Sequence, residues 1–196
     1  MAKSKHLSVV LGLFERSPIV DFRSIQRVIG KKNGAYGKLI VHNLINKSII
    51  KKVAKGKYTK HNETTLAVFC FSPSYLGLQS ALSMHNLWEQ ETIPIVITSK
   101  KVRLGLRTVM GANVLVKSVN PSYLFGFEYI QEGQFYIPYS DIEKTLIDLV
   151  YFRQSISPAV LKSFRERIDE KKLKGYVRRY PERIRKKVLH LYQGLS

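Results

Sequence analysis

Between Asn33 and Lys60 the chain passes from a helical pattern to a basic hairpin with almost no linker, and few small folds accommodate that junction. Leu39, Ile40, Val41, Leu44 and Ile45 recur at helical spacing, Ser48 breaks the pattern, and Ile49 to Val53 reads as a strand. The strand turns at Ala54-Lys55-Gly56-Lys57, where Gly56 is free to take a positive φ, and returns through Tyr58 to Lys60. Five lysines, at 51, 52, 55, 57 and 60, lie on or beside the ribbon. The unit has the shape of a recognition helix followed by a wing.

Two shorter helical patterns precede it, as a winged helix-turn-helix requires. From His6 to Glu15 the residues Leu7, Val10, Leu11 and Phe14 form one apolar stripe. Ser17-Pro18-Ile19-Val20 interrupts the pattern, and Asp21 is placed to cap a second helix over Phe22 to Ile29, with Phe22, Ile25, Val28 and Ile29 inward. Gly30 and Gly34 turn the chain into the third helix, whose buried side is assigned to Leu39, Ile40 and Leu44.

Charge divides the chain into three. Residues 1–60 carry 14 Lys and Arg against 2 acidic residues, residues 61–161 carry 7 against 8, and residues 162–196 carry 12 against 4. General solubility would spread an excess of cations over every surface. A neutral middle between two basic ends instead points to a polyanion as the partner of the ends. The division suggests a winged domain over 1–62, an interaction domain over 63–156 and a basic helical extension over 157–196.

In the middle, Thr65 to Phe71 reads as a strand, and Ser72-Pro73-Ser74 launches a helix over Tyr75 to Leu87 with Leu78, Ala81, Leu82 and His85 on one face. Ile93 to Thr98 is a short apolar strand, Val102 to Arg107 pairs with Asn113 to Ser118, and Phe125 to Ile130 pairs with Gln134 to Ile137. Ser140 or Asp141 caps a helix over Ile142 to Phe152, with Leu146, Ile147, Leu149 and Val150 on its apolar side. Strands and helices mix without regular alternation, so the fold class is α+β.

No HExxH, GxSxG or phosphate-loop pattern occurs, so neither catalytic nor metal-binding residues are assigned, nor any cofactor. Asp141, Glu143 and Asp148 have the composition of a nuclease metal site, but simpler uses exist for each. Asp141 and Glu143 suit the start of a helix, and Asp148 is four residues from Lys144. His85 is read as a packed, hydrogen-bonded residue. Cys70, the only cysteine, sits in an apolar run and is expected to be buried. No run approaches the ~20 apolar residues of a membrane span, so a cytoplasmic protein without membrane attachment is expected.

Beyond Ser157-Pro158 a helix continues toward Ile168, Gly175 provides a break, and a last helix spans Glu182 to Tyr192. Its Ile184, Val188, Leu189 and Tyr192 alternate with Arg183, Arg185, Lys186 and Lys187, which describes a packed helix with a basic outer face. Covering the middle domain, self-association and DNA contact are its expected uses, in that order.

The order of the N-terminal helices and the ending LINKSIIKKVAKGKY resemble the winged domain of the AbiEi-type antitoxins, transcriptional regulators of phage-defence loci. SPSYLGLQSALSMHNLWE (72–89) is similar to that family's YxSxxSALxxHGL segment, and IPYSDIEKTLIDLVYF (137–152) to its PEKxLxDLxY element. Gln79, Asn86 and Asp141-Ile142-Glu143 depart from those patterns. The resemblance covers roughly residues 7 to 155. It implies an autorepressing antitoxin of a type IV toxin–antitoxin system, acting in antiviral defence, with an inverted-repeat operator, a homodimer or cooperative assembly on it, and a nucleotidyltransferase-like toxin encoded nearby. The toxin partner, rather than this chain, would be the enzyme.

A regulator that binds duplex DNA sequence-specifically is therefore expected. Asn33, Lys38 and His42 are the candidates for reading bases, and Lys31, Lys32, Tyr36, Lys51, Lys52, Lys55 and Lys57 for holding the backbone. RNA binding is the alternative, although an aromatic RNP pattern and a GXXG loop are both lacking. A metal-dependent nuclease comes third.

Overall fold

The computed structural model describes residues 2–30, 34–90 and 92–194. The chain is mixed α+β and divides into two compact units. One runs to Cys70 and includes the hairpin tip Thr108–Asn113; the other comprises Phe71–Arg107 and the chain from Val114 onward.

In the first unit, α1 (Ala2–Arg16) leads through β1 (Val20–Asp21) into α2 (Phe22–Ile29) and α3 (Gly34–Asn46), followed by β2 (Lys51–Ala54) and β3 (Lys57–Thr59). The strands form an antiparallel sheet in the order β1-β3-β2. The core is what the apolar periods foretell: Val10 and Phe14 of α1, Ile25 and Ile29 of α2, and Ile40, Val41 and Leu44 of α3 pack with Val20 and Ile50. Leu39 is a correction, because it is 53% exposed. The buried arc of α3 is Gly37, Ile40, Val41 and Leu44, and at 3.6 residues per turn Leu39 falls on the other side.

The hairpin is fastened to the helices at its root and at its turn. Gly56, with φ +69°, lets the turn close, and its carbonyl accepts the first amide of α2, Phe22 N, at 2.8 Å. Asp21 has the extended backbone of an N-cap residue, but its side chain caps nothing; it pairs with Lys57 across 3.1 Å. At the root, Thr59 Oγ1 donates to Pro18 O at 2.6 Å.

Thr65 to Phe71, expected as a strand, falls instead largely in a 3-10 helix, Thr64–Cys70, with Leu66, Ala67, Val68 and Cys70 buried. A short apolar run buried on several sides carries no period that separates strand from helix.

In the second unit the elements are β4 (Ser74–Leu76), α4 (Gln79–Met84), β5 (Ile95–Thr98), β6 (Gly105–Val109), β7 (Ala112–Ser118), β8 (Phe127–Glu132), β9 (Phe135–Ser140), α5 (Ile142–Tyr151), α6 (Pro158–Arg167), α7 (Glu170–Val177) and α8 (Glu182–Gln193). The sheet order is β6-β7-β5-β4-β9-β8, with β4 antiparallel to β5 and parallel to β9. The helix expected over Tyr75 to Leu87 is thus a strand followed by a shorter helix. Tyr75 and Leu76 are wholly buried, as suits a central strand covered on both faces. Gly77 explains the close fit: a Cβ there would stand 2.5 Å from Ile97 Cδ1.

Asp141 caps α5 by accepting Lys144 N at 2.8 Å, and residues 143–149 are buried. The C-terminal helices pack over α5: Val160, Phe164, Leu173, Val177, Tyr180 and Val188 join Leu146, Ile147 and Leu149 in one apolar cluster. Gly175, expected to break the tail, lies inside α7 and is exposed. A single glycine weakens a helix without ending it where neighbours such as Leu173 and Val177 are anchored in a core.

Candidate nucleic-acid interface

The inward set on α3 leaves Lys38, Leu39, His42, Asn43 and Asn46 exposed on its outer side. Lys38 and His42 therefore stand where the sequence placed them, while Asn33, Lys31 and Lys32 lie outside the described residues. His42 Nε2 and Asn46 Nδ2 approach to 2.9 Å, one turn apart. Asn46 escaped the sequence reading, though its position four residues after His42 was the available signal. Tyr36 is half-buried and packs edge-on against His6, with centroids 5.9 Å apart, so its ring serves the α1–α3 packing. Arg23 and Arg27, four residues apart on α2, are exposed and were also missed.

The hairpin lysines separate into two kinds. Lys52 and Lys55 are exposed. Lys57 pairs with Asp21, and Lys51 Nζ donates to Asn62 Oδ1 at 2.7 Å. Lys60 pairs with Glu15. Only the first kind presents an ammonium to solvent without an internal partner among the described residues.

A second polar constellation lies in the core of the other unit. Lys144 and Asp148 of α5 form an ion pair with both side chains at zero exposure. Lys144 Nζ donates to Tyr75 OH at 2.7 Å, and that hydroxyl donates to Asp148 Oδ2 at 2.7 Å. The ammonium faces the rings of Tyr75, Phe125 and Tyr180, with centroids at 5.1, 5.7 and 5.9 Å. Burial pushes the Lys144 ammonium down and the Asp148 carboxyl up in pKa, and each opposes the other's shift. The expected Lys144–Asp148 pair and Asp141 cap are both present; Tyr75, 69 residues from Lys144, was not foreseen.

The other acidic residues are engaged in fastening the C-terminal helices. Asp141 accepts Tyr176 OH at 2.9 Å, and Lys172 reaches both Asp141 (3.2 Å) and Glu143 (2.8 Å). Glu143 also accepts Asp169 N at 2.9 Å. His85 is buried with Nε2 2.7 Å from Ser140 O, the hydrogen-bonded role expected of it. Among the described residues no group of three or more His, Cys, Asp or Glu could hold a metal ion, and no helix is long and apolar enough to cross a membrane.

No protein family and no curated protein matches the chain. Among solved structures it is similar to the RV2827C protein from Mycobacterium tuberculosis, with a TM-score of 0.63 and 12% identity over 98% of this chain and 78% of that chain. At that identity the likeness concerns the fold alone.

Proposed function

We propose that the chain is a sequence-specific duplex DNA-binding regulator whose N-terminal unit acts as a winged helix-turn-helix. The observation that carries this reading is the outward face of α3, where Lys38, His42 and Asn46 are exposed beside a hairpin that presents Lys52 and Lys55. In this reading α3 enters the major groove, and α2, with Arg23 and Arg27 outward, crosses the backbone. Lys38 donates to guanine, Asn46 makes a paired contact with adenine, and the wing lysines hold phosphates.

The finer reading is an autorepressing regulator of the AbiEi antitoxin type, acting on an inverted repeat beside a nucleotidyltransferase-like toxin gene. What supports it is the resemblance of residues 72–89 and 137–152 to that family's two segments; in the fold these segments meet, Tyr75 from one and Lys144 with Asp148 from the other.

The test begins with selection of bound duplexes from a randomised pool by the full chain. Lys38→Ala and Asn46→Ala are then measured on the selected duplex and on a scrambled one. A loss roughly 1 to 3 kcal/mol larger on the selected duplex is expected for a bidentate base contact. Absence of an enriched sequence, or tighter binding to structured RNA of equal length at the same salt, would overturn the proposal.

A further inference from the structure

We infer that α7 and α8 form a second duplex-DNA surface, one that grips the phosphate backbone through the C-terminal unit; this rests on the duplex-binding reading above. The exposed side of α8 carries Arg183, Lys186, Lys187 and His190, spaced three and four residues apart with no apolar residue among them. Along α7 and its C-cap Arg178, the side chains of Lys171, Lys174 and Arg178 line a shallow furrow together with Glu170 and Gly175. The two helices pack on one another and on α5.

The local acids do not neutralise this face. Glu170 pairs with Lys174 at 2.5 Å, Glu182 pairs with Lys186 at 2.7 Å, and Asp169 accepts Lys172 N as the α7 cap. Lys171, Arg178, Arg183 and Lys187 are exposed and form no ion pair among the described residues. Four unpaired cations on two helices that pack on one another add to a positive local potential, which favours a polyanion.

The lack of apolar residues on the exposed side of α8 decides between partners. Protein interfaces are built on desolvated aromatic or aliphatic anchors, whereas gripping phosphates requires cations and donors alone. Gly175 fits the same account. It lowers the propensity of a helix that runs through it unbroken, and a Cβ there would meet nothing within 4 Å, so packing does not require it. A missing side chain among the residues lining this furrow lets a bulky anion come close to the helix.

The experiment compares three forms of the full chain on one duplex over a range of salt. The first is wild type, the second Lys52→Gln/Lys55→Gln in the wing, and the third Lys171→Gln/Arg178→Gln/Arg183→Gln/Lys187→Gln in the tail. The tail variant is expected to keep its circular dichroism and melting temperature, and to bind with a log K against log salt slope shallower by at least about 2, at about 0.9 per phosphate contact removed. Gly175→Leu, which favours the helix and leaves the charge alone, is expected to bind the duplex severalfold more weakly. A tail variant with the wild-type slope overturns the inference, whatever Gly175→Leu does. If the wing variant alone becomes shallower, the duplex-binding reading stands and only this surface falls; if wild type binds no duplex, both fall.

Discussion

Tyr75 donates its phenolic hydrogen to Asp148 across 2.7 Å, joining the central strand β4 to the buried helix α5 by a polar contact inside an apolar core. Lys144 completes the arrangement, so a cation, an anion and a hydroxyl satisfy one another where water does not reach. Removing one member leaves another uncompensated. Asp148→Ala is expected to cost about 3 to 5 kcal/mol of unfolding free energy in urea titrations. Lys144→Met/Asp148→Leu is expected to recover most of that loss, since neither charge is then buried. A double variant as unstable as Asp148→Ala, also when Tyr75→Phe removes the hydroxyl left without these partners, would show that the loss came from packing.

Tyr180 offers the opposite case. Its hydroxyl is buried without a hydrogen-bond partner among the described residues, while its ring stacks on Tyr123 with centroids 4.2 Å apart. Tyr180→Phe keeps the stack and removes the stranded hydroxyl, so the urea midpoint is expected to hold or rise. A fall of more than about 1 kcal/mol would mean that the hydroxyl has a partner worth that much.

Alkaline pH should loosen the docking of the C-terminal helices. Burial first, and then the hydrogen bond to Asp141, push the Tyr176 hydroxyl from 10.0 up to about 12. Tyr75 and Tyr180 are likewise raised, chiefly by burial. The unfolded chain therefore loses these protons near pH 10 while the folded chain keeps them, so stability is fully present below pH 10 and falls as pH rises through about 12. Urea midpoints from pH 8 to 11.5 check the sign, and Tyr176→Phe should flatten the decline. A midpoint that rises with pH above 10 would contradict it.

Leu39 and Leu44 separate reading from folding. Leu44 is 2% exposed, and Leu44→Ala is expected to cost roughly 2 to 5 kcal/mol by leaving a cavity. Leu39 is more than half exposed on the same helix, so Leu39→Ala should stay within about 0.5 kcal/mol of wild-type stability. Its exposed side chain is suited to thymine methyl groups, and replacing thymine with uracil in the selected duplex should reproduce the affinity lost in Leu39→Ala. Equal responses of wild type and Leu39→Ala to that replacement would remove Leu39 from the groove.

Within the β2–β3 hairpin, exposure predicts a graded response. Lys52→Gln and Lys55→Gln should each lower the salt slope by about 0.9 and weaken selected and random duplexes alike. Lys57→Gln should change the slope less, because Asp21 already holds that ammonium. The reverse order, read from the same titrations, would mean that the Lys57–Asp21 pair opens on binding.

The parts of the fold that the chain announces are those with one buried face. α1, α2 and α8 bury a stripe and expose the rest, and β8 with β9 closes around Gly133. Where burial surrounds the backbone the period vanishes: Tyr75 and Leu76 read as helix but form a central strand, and Leu66 to Cys70 read as strand but coil. Leu39 shows a third kind of failure, because an apolar side chain on the exposed side of a helix looks like core until the helix is phased. The Lys144–Asp148 pair was legible as a four-residue spacing, but its tie to Tyr75 depends on chain topology and leaves no local trace.

The bond from Phe22 N to the carbonyl of Gly56 has an entropic consequence. Fixing the backbone of one residue costs about 1 to 2 kcal/mol, and a flexible basic arm would meet that cost at the moment of association. Here the turn is already held by the first amide of α2, by the pairing of β1 with β3 and by Asp21 on Lys57. Ordering of the hairpin backbone is completed during folding. On the duplex-binding proposal, Lys52 and Lys55 would thus meet their ligand from an already ordered hairpin, which should contribute to the speed of capture as much as to the lifetime of the complex.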